Sequence, residues 1–140
     1  MQRRTRGTIH VQLGYDAGAD GGGIVYARLR SAAGERLVRA AFHVKRLTGT
    51  EGRENGYGAL TAIALLLRER GIESIHLKLS DGALLEDIAT HRSVPAALVL
   101  PYVRLHCALN RFASFSVSAG EEDEDLAQRA RAEVALHIAA

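Results

Sequence analysis

The chain has 140 residues, of which 47% are hydrophobic and 24% are charged, and its one cysteine, Cys107, cannot form an internal disulfide. A chain near this length buries roughly 68–70% of its unfolded surface, so a single domain over residues 1–140 is expected. These proportions exclude a disordered chain, and no apolar run approaches the roughly 18 residues of a membrane span. No apolar leader follows the first methionine, so a reducing, cytoplasmic location without a membrane is expected.

The net charge of +2 is divided unevenly along the chain. Residues 1–50 carry nine bases and three acids, a net charge of +6, whereas residues 51–140 carry nine bases and thirteen acids, a net charge of −4. A basic first part favours contact with a polyanion, for which Arg3, Arg4 and Arg6 are candidates. Solvated charge on strand edges explains the same asymmetry equally well.

The first part of the chain predicts an antiparallel meander of three strands. From Thr8 to Asp16, apolar residues alternate with polar ones, so Asp16 points away from the apolar face of the first strand. Two short glycine-containing turns then separate two further predicted strands, Ile24–Arg30 and Arg36–Lys45.

The second part alternates helices with strands. A helical stripe between Thr50 and Arg70 stops at Gly71, and the strand Ser74–Leu79 runs into Ser80-Asp81, which is expected to cap a short helix. The remaining predicted elements are a helix that starts at Pro95 and is bent or divided by Pro101, a strand at Phe112–Ser118, and an acid-started helix from Glu121 to Ile138.

Several short motifs in these elements match one known family. Asp16 ends the first strand, and the segment that begins with Ser80-Asp81 is similar to a Ser-Asp-Ser segment at the end of a fourth strand. Val94-Pro95 begins a segment similar to a Pro-x-Leu helix, and Leu126 begins a Leu-Ala-x-x-Ala sequence. With the element order, which covers nearly the whole chain, these motifs resemble the ribonuclease H superfamily, and most closely the ribonuclease HI family. The resemblance implies an α/β fold with a five-stranded mixed sheet, three strands antiparallel and two parallel, flanked by helices.

The resemblance also implies a site for Mg²⁺ or Mn²⁺. Two ions stabilise the attacking and leaving oxygens of phosphodiester hydrolysis, and such hard cations take carboxylate ligands. Asp16 and Asp81 match the central acids of the family, and Glu54 and Glu124 are the further catalytic and metal-binding candidates. Both depart from the family pattern, because Gly56 stands where the family has Glu in its first helix and Glu124 stands where it has Asp.

The sequence allows two geometries of the first helix. A regular helix places Gly56 at the sheet-facing end of its apolar stripe and directs Glu54 elsewhere, since two residues correspond to roughly 200° of rotation. A helix that begins near Tyr57 leaves Glu54 on a flexible loop that could swing toward the aspartates.

The leading hypothesis is therefore a ribonuclease HI-like, metal-dependent endonuclease that hydrolyses the RNA strand of an RNA·DNA hybrid. The alternative is a catalytically degenerate ribonuclease H-fold module that binds nucleic acid or a protein, which the missing helix Glu favours. A resolvase-like nuclease fits the middle of the chain poorly. A dinucleotide fold, a zinc site and a Cys107 nucleophile are disfavoured, because the required spacings of glycine, histidine and a base are absent.

Overall fold

The computed structural model of the protein describes residues 7–90 and 94–139. The expected phosphate contacts of Arg3, Arg4 and Arg6 lie outside these residues. In chain order the elements are β1 (Ile9–Ala17), β2 (Gly22–Ser31), β3 (Gly34–His43), α1 (Arg53–Glu69), β4 (Ser74–Leu79), α2 (Gly82–Thr90), a 3₁₀ turn (Ala96–Leu98), α3 (Val99–Leu109), β5 (Ser114–Ala119) and α4 (Glu124–Ala139).

The five strands form one mixed sheet in the order β3-β2-β1-β4-β5. Strands β1, β2 and β3 pair antiparallel, whereas β4 pairs parallel to both β1 and β5. The predicted mixed sheet with helices beside it is therefore confirmed. Since β1 and β4 are parallel neighbours, their carboxyl ends reach the same edge of the sheet.

The helices cover the two faces of the sheet. Apolar residues of β1 alternate with polar ones, and the buried side chains of Val11 and Leu13 belong to the same core cluster as Leu60 and Ile63 of α1. Helix α4 packs on the opposite face, where Gly14 of β1 approaches the α4 backbone so closely that a Cβ atom would collide with it. No helix within the two described ranges is long and apolar enough to cross a membrane.

Helix α1 begins at Arg53, so the alternative in which it begins near Tyr57 is wrong. The first turn is held by α2, because Arg53 donates a hydrogen bond of 2.6 Å to the buried Asp87, and the Tyr57 hydroxyl donates another to the same carboxylate. Gly71, at φ +82°, follows the helix and ends it as predicted.

Strands β2 and β3 differ at both ends from the predicted Ile24–Arg30 and Arg36–Lys45. Three later elements also have boundaries that differ from the predictions. The segment after Pro95 divides before Pro101, which lies in the first turn of α3, where its missing N–H has no intrahelical partner to lose. Strand β5 begins at Ser114, because the backbone amide of Phe112 donates a hydrogen bond of 3.1 Å to the Leu109 carbonyl in the turn that follows α3. Helix α4 begins at Glu124 because the residue before it is the cap.

Candidate functional site

Two aspartates lie at the carboxyl ends of neighbouring strands. Asp16 is the second-last residue of β1, and Asp81 follows the last residue of β4 by two positions. Because β1 and β4 are adjacent and parallel, both acids lie at one edge of the sheet. The expectation that Asp16 and Asp81 belong to adjacent central strands is confirmed.

Asp81 caps α2. Its Oδ1 atom accepts hydrogen bonds from the amides of Ala83 at 3.0 Å and Leu84 at 3.1 Å. These amides have no partner inside the helix, and a carboxylate suits the positive end of the helix dipole. The capping predicted for this position is confirmed, and it leaves the Oδ2 atom facing α1.

Helix α1 presents a glycine to Asp81. A Cβ atom built on Gly56 would lie 3.5 Å from Asp81 Oδ2, 3.1 Å from Leu84 Cδ2 and 2.9 Å from the hydroxyl oxygen of Tyr15. Gly56 shares the buried face of α1 with Leu60, as the regular helical period predicts. No carboxylate reaches Asp81 from this position of α1.

The side chain of Tyr15 fills the space beside Gly56. Tyr15 lies on the core-facing side of β1, whereas the alternation of the strand directs Asp16 to the face that carries α4. Burial, followed by the charges of Asp81 and Glu122, raises the pKa of Tyr15 to about 12. The alternating pattern predicts only an apolar contact for Tyr15, so its place beside Asp81 was not foreseen from the sequence.

Glu54 is held by the loop between β3 and α1. Its side chain is 3% exposed and accepts hydrogen bonds from Thr50 Oγ1 at 2.6 Å, from the Leu47 amide at 3.2 Å and from Arg46 Nη1 at 3.3 Å. Burial alone would raise the pKa of Glu54, but these hydrogen bonds lower it below its usual value. Among the described residues, Glu54 forms no metal-binding group with the two aspartates.

The acids before α4 have two different roles. Asp123 accepts a hydrogen bond of 3.2 Å from the Leu126 amide, which caps α4, and it pairs with Arg28 at 2.9 Å. Burial, followed by the hydrogen bond and charge of Glu124, raises the pKa of Glu122. When the Leu-Ala-x-x-Ala motif of the resembled family is aligned at Leu126, the expected acid falls two residues earlier, at Glu124. The motif therefore did not indicate Glu122. We name Asp16, Asp81, Glu122 and Glu124 together the acidic edge.

The acidic edge suits a divalent cation by donor type but not by arrangement. Carboxylate oxygens are the ligands that Mg²⁺ prefers. Within residues 7–90 and 94–139, however, no three His, Cys, Asp or Glu side chains are grouped closely enough to hold a metal ion. The described residues therefore do not assemble the ligands of a two-ion site, and Gly56 leaves the side of Asp81 that faces α1 without a carboxylate.

A cleft with basic groups lies between the end of β3, α1 and the start of α3. Its volume is about 560 Å³, and its lining is mostly apolar, with Leu65 and Leu100 exposed by 43% and 58%. His43, Lys45 and Arg104 also line it. This combination offers cations beside an apolar surface that a nucleic-acid backbone and sugar can contact.

Ion pairs neutralise part of the basic charge counted in residues 1–50. Arg28 pairs with Glu35 at 3.0 Å and with Asp123 at 2.9 Å, and Arg39 pairs with Glu133 of α4. The asymmetry along the sequence is thus partly cancelled in space, because the acids at the start of α4 and along it lie against the basic strands. Of the basic residues in that half, Lys45 is one that lines the cleft.

Solved structures similar to this chain include several ribonucleases H. RNase H1 from the halophilic archaeon Halobacterium salinarum NRC-1 is 20% identical, with a TM-score of 0.67 over 90% of this chain and 93% of that one. The N-terminal RNase H domain of Rv2228c from Mycobacterium tuberculosis is 14% identical, with a TM-score of 0.72 over 94% of this chain and 98% of that one. The chain has the ribonuclease H fold.

A further ribonuclease H neighbour is LC11-RNase H1, which was solved in complex with an RNA/DNA hybrid. It is 12% identical, with a TM-score of 0.59 over 89% of this chain and 92% of that one. No protein-family model and no curated protein matches the chain. At these identities the comparisons establish the ribonuclease H fold, and the function has to be argued from the site.

Proposed function

We propose that the protein is a ribonuclease H-fold module that binds RNA·DNA hybrids and lacks two-metal hydrolysis. One observation carries the proposal. At the corner where α1 faces Asp81, the chain has Gly56 and the Tyr15 hydroxyl in place of a carboxylate. The other acid near this corner in sequence, Glu54, is committed to Arg46 and Thr50.

The preference for a hybrid rests on the fold and on the basic cleft. A structural neighbour binds an RNA/DNA hybrid, and duplexes with A-like geometry are recognised through shape, phosphate and 2′-hydroxyl contacts rather than base edges. Lys45 and Arg104 supply phosphate-binding cations along the cleft. We also infer that the whole chain acts as one domain in a reducing cytoplasm, where the exposed thiol of Cys107 stays free.

Binding is tested by fluorescence anisotropy with an RNA·DNA hybrid and with RNA and DNA duplexes of the same sequence. The hybrid should bind most tightly, and its affinity should fall as salt rises, because phosphate contacts release counterions. Lys45→Gln combined with Arg104→Gln should weaken binding and reduce the salt slope by about 1 for each lost contact. Arg111→Gln, which removes an exposed arginine outside the cleft lining, is the matched control. Absence of hybrid binding at low salt would refute the proposal.

The second candidate is the metal-dependent nuclease. Asp16 and Asp81 favour it, because they lie at the carboxyl ends of adjacent parallel strands. Glu122 adds an acid nearby, since its charge and that of Asp81 both act on Tyr15. That function would require Mg²⁺ or Mn²⁺ on Asp16, Asp81 and Glu124, side chains that the described structure does not group closely enough to hold an ion. Cleavage of a labelled hybrid would then require the metal and disappear in Asp81→Asn, whereas a module without hydrolysis leaves the hybrid intact under all conditions.

A further inference from the structure

Where β1 packs against α1, the large side chain of Tyr15 lies opposite Gly56, which has no side chain. The hydroxyl oxygen of Tyr15 lies 2.9 Å from the point where a Cβ atom of residue 56 would be, which is closer than real Cβ atoms approach other atoms. Leu84, which is 2% exposed, closes the other side at 3.1 Å. Any side chain at position 56 would therefore have to displace the phenol of Tyr15 or the core around Leu84.

The strand register explains why Tyr15 points into this corner. Strand β1 pairs parallel to β4 with Val11 opposite Leu77, and both side chains belong to the core that α1 covers. Tyr15 lies four residues after Val11 on the same strand, so its side chain is on the same face of the sheet. A tyrosine at this position of β1 thus points at the first turns of α1, and the residue at position 56 decides whether it fits.

We propose that Tyr15 and Gly56 form a matched large-and-small pair that closes the acidic edge to a carboxylate from α1. The phenol occupies the volume through which a side chain at position 56 would reach Asp81. The inference deepens the proposed function, on which it rests, because it names the side chain that excludes the missing ligand. It also means that restoring a glutamate at position 56 is insufficient while Tyr15 remains.

A first test measures metal affinity rather than activity. Mn²⁺ binding is followed by electron paramagnetic resonance in the parent, in Tyr15→Ala, in Gly56→Glu and in the double variant. The double variant should bind Mn²⁺ at least about tenfold more tightly than either single variant. Groups that only support metal ligands change metal affinity by about 10–100-fold, and a direct ligand should contribute no less. Tyr15→Ala combined with Gly56→Gln is the matched control, since it keeps the shape without the charge. If Gly56→Glu alone, or the glutamine control, raised the affinity for Mn²⁺ as much as the double variant does, the inference would be overturned.

A second test needs no metal and no folded glutamate variant. Gly56→Ala should fail to raise the melting temperature of the parent, because its Cβ atom meets the Tyr15 hydroxyl. In the Tyr15→Ala background the same substitution should raise the melting temperature, since alanine favours a helix over glycine. An increase of equal size in both backgrounds would overturn the inference.

The anisotropy assay of the parent separates this inference from the proposed function. If the parent does not bind the hybrid, the binding function is wrong, while the melting and Mn²⁺ comparisons still decide whether Tyr15 excludes a side chain at position 56.

Discussion

Replacing Glu54 with glutamine should destabilise the protein rather than remove a functional acid. The carboxylate is 3% exposed and accepts three hydrogen bonds, one of them from Arg46. Hydrogen bonds to a charged group contribute about 1.5–3 kcal/mol each, and breaking a fully buried ion pair costs about 3–5 kcal/mol. Because Arg46 is 33% exposed and glutamine retains part of the hydrogen bonding, we expect a loss of about 2–3 kcal/mol.

A loss of that size lowers the melting temperature by roughly 6–12 °C for a chain of this length. The measurement is urea and thermal unfolding of Glu54→Gln at neutral pH, with Glu69→Gln as the control, because Glu69 lies on the same helix and is exposed. The control should change stability by no more than about 0.5 kcal/mol.

The destabilisation caused by Glu54→Gln should depend on pH. The folded protein lowers the pKa of Glu54 below its ordinary value of 4.5, so the ionised group stabilises the fold above that value and less so as pH falls through the folded pKa. The difference in stability between the parent and Glu54→Gln should therefore shrink in acid. If Glu54→Gln were as stable as the control and lost metal or hybrid binding instead, the structural role assigned to Glu54 would be refuted.

Single contacts support three further predictions. A hydrogen bond from Arg39 lowers the pKa of Glu133 to about 2, so Glu133→Gln should destabilise the protein at pH 7 and progressively less toward pH 2. Because Arg39 is 44% exposed, we expect the free energy of unfolding in urea to fall by about 1 kcal/mol at pH 7. Asp81→Ala should destabilise the protein by about 1 kcal/mol in thermal unfolding because it removes the cap of α2, whereas Asp81→Asn, which still caps, should stay close to the parent. Gly14→Ala should cost about 3 kcal/mol or more, because its Cβ atom would collide with the α4 backbone, and soluble yield with circular dichroism would reveal the loss.

The sequence by itself determined the order of the elements and the direction of several side chains. The alternation in β1 and the regular stripe of α1 are local patterns with periods of 2 and 3.6 residues, and they fix which face Asp16 and Gly56 occupy. The cap at Asp81 was predictable for the same reason, because a helix cap depends on residues within one turn. The regular stripe of α1 predicted Gly56, and no carboxylate, on the sheet-facing side of the helix, but the sequence left open a helix that begins near Tyr57, which only the structure excludes.

Only the tertiary structure shows which side chain lies beside Gly56 and which charged side chains form ion pairs. Tyr15 meets Gly56 because β1 packs beneath α1, and no local period encodes the distance between two elements. Glu54 forms an ion pair with Arg46 of the preceding loop, and Arg28 pairs with Asp123, which is 95 residues away in the chain. Such partners are set by sheet register and helix packing, so a count of charges along the chain overestimates the basic surface that remains for a polyanion.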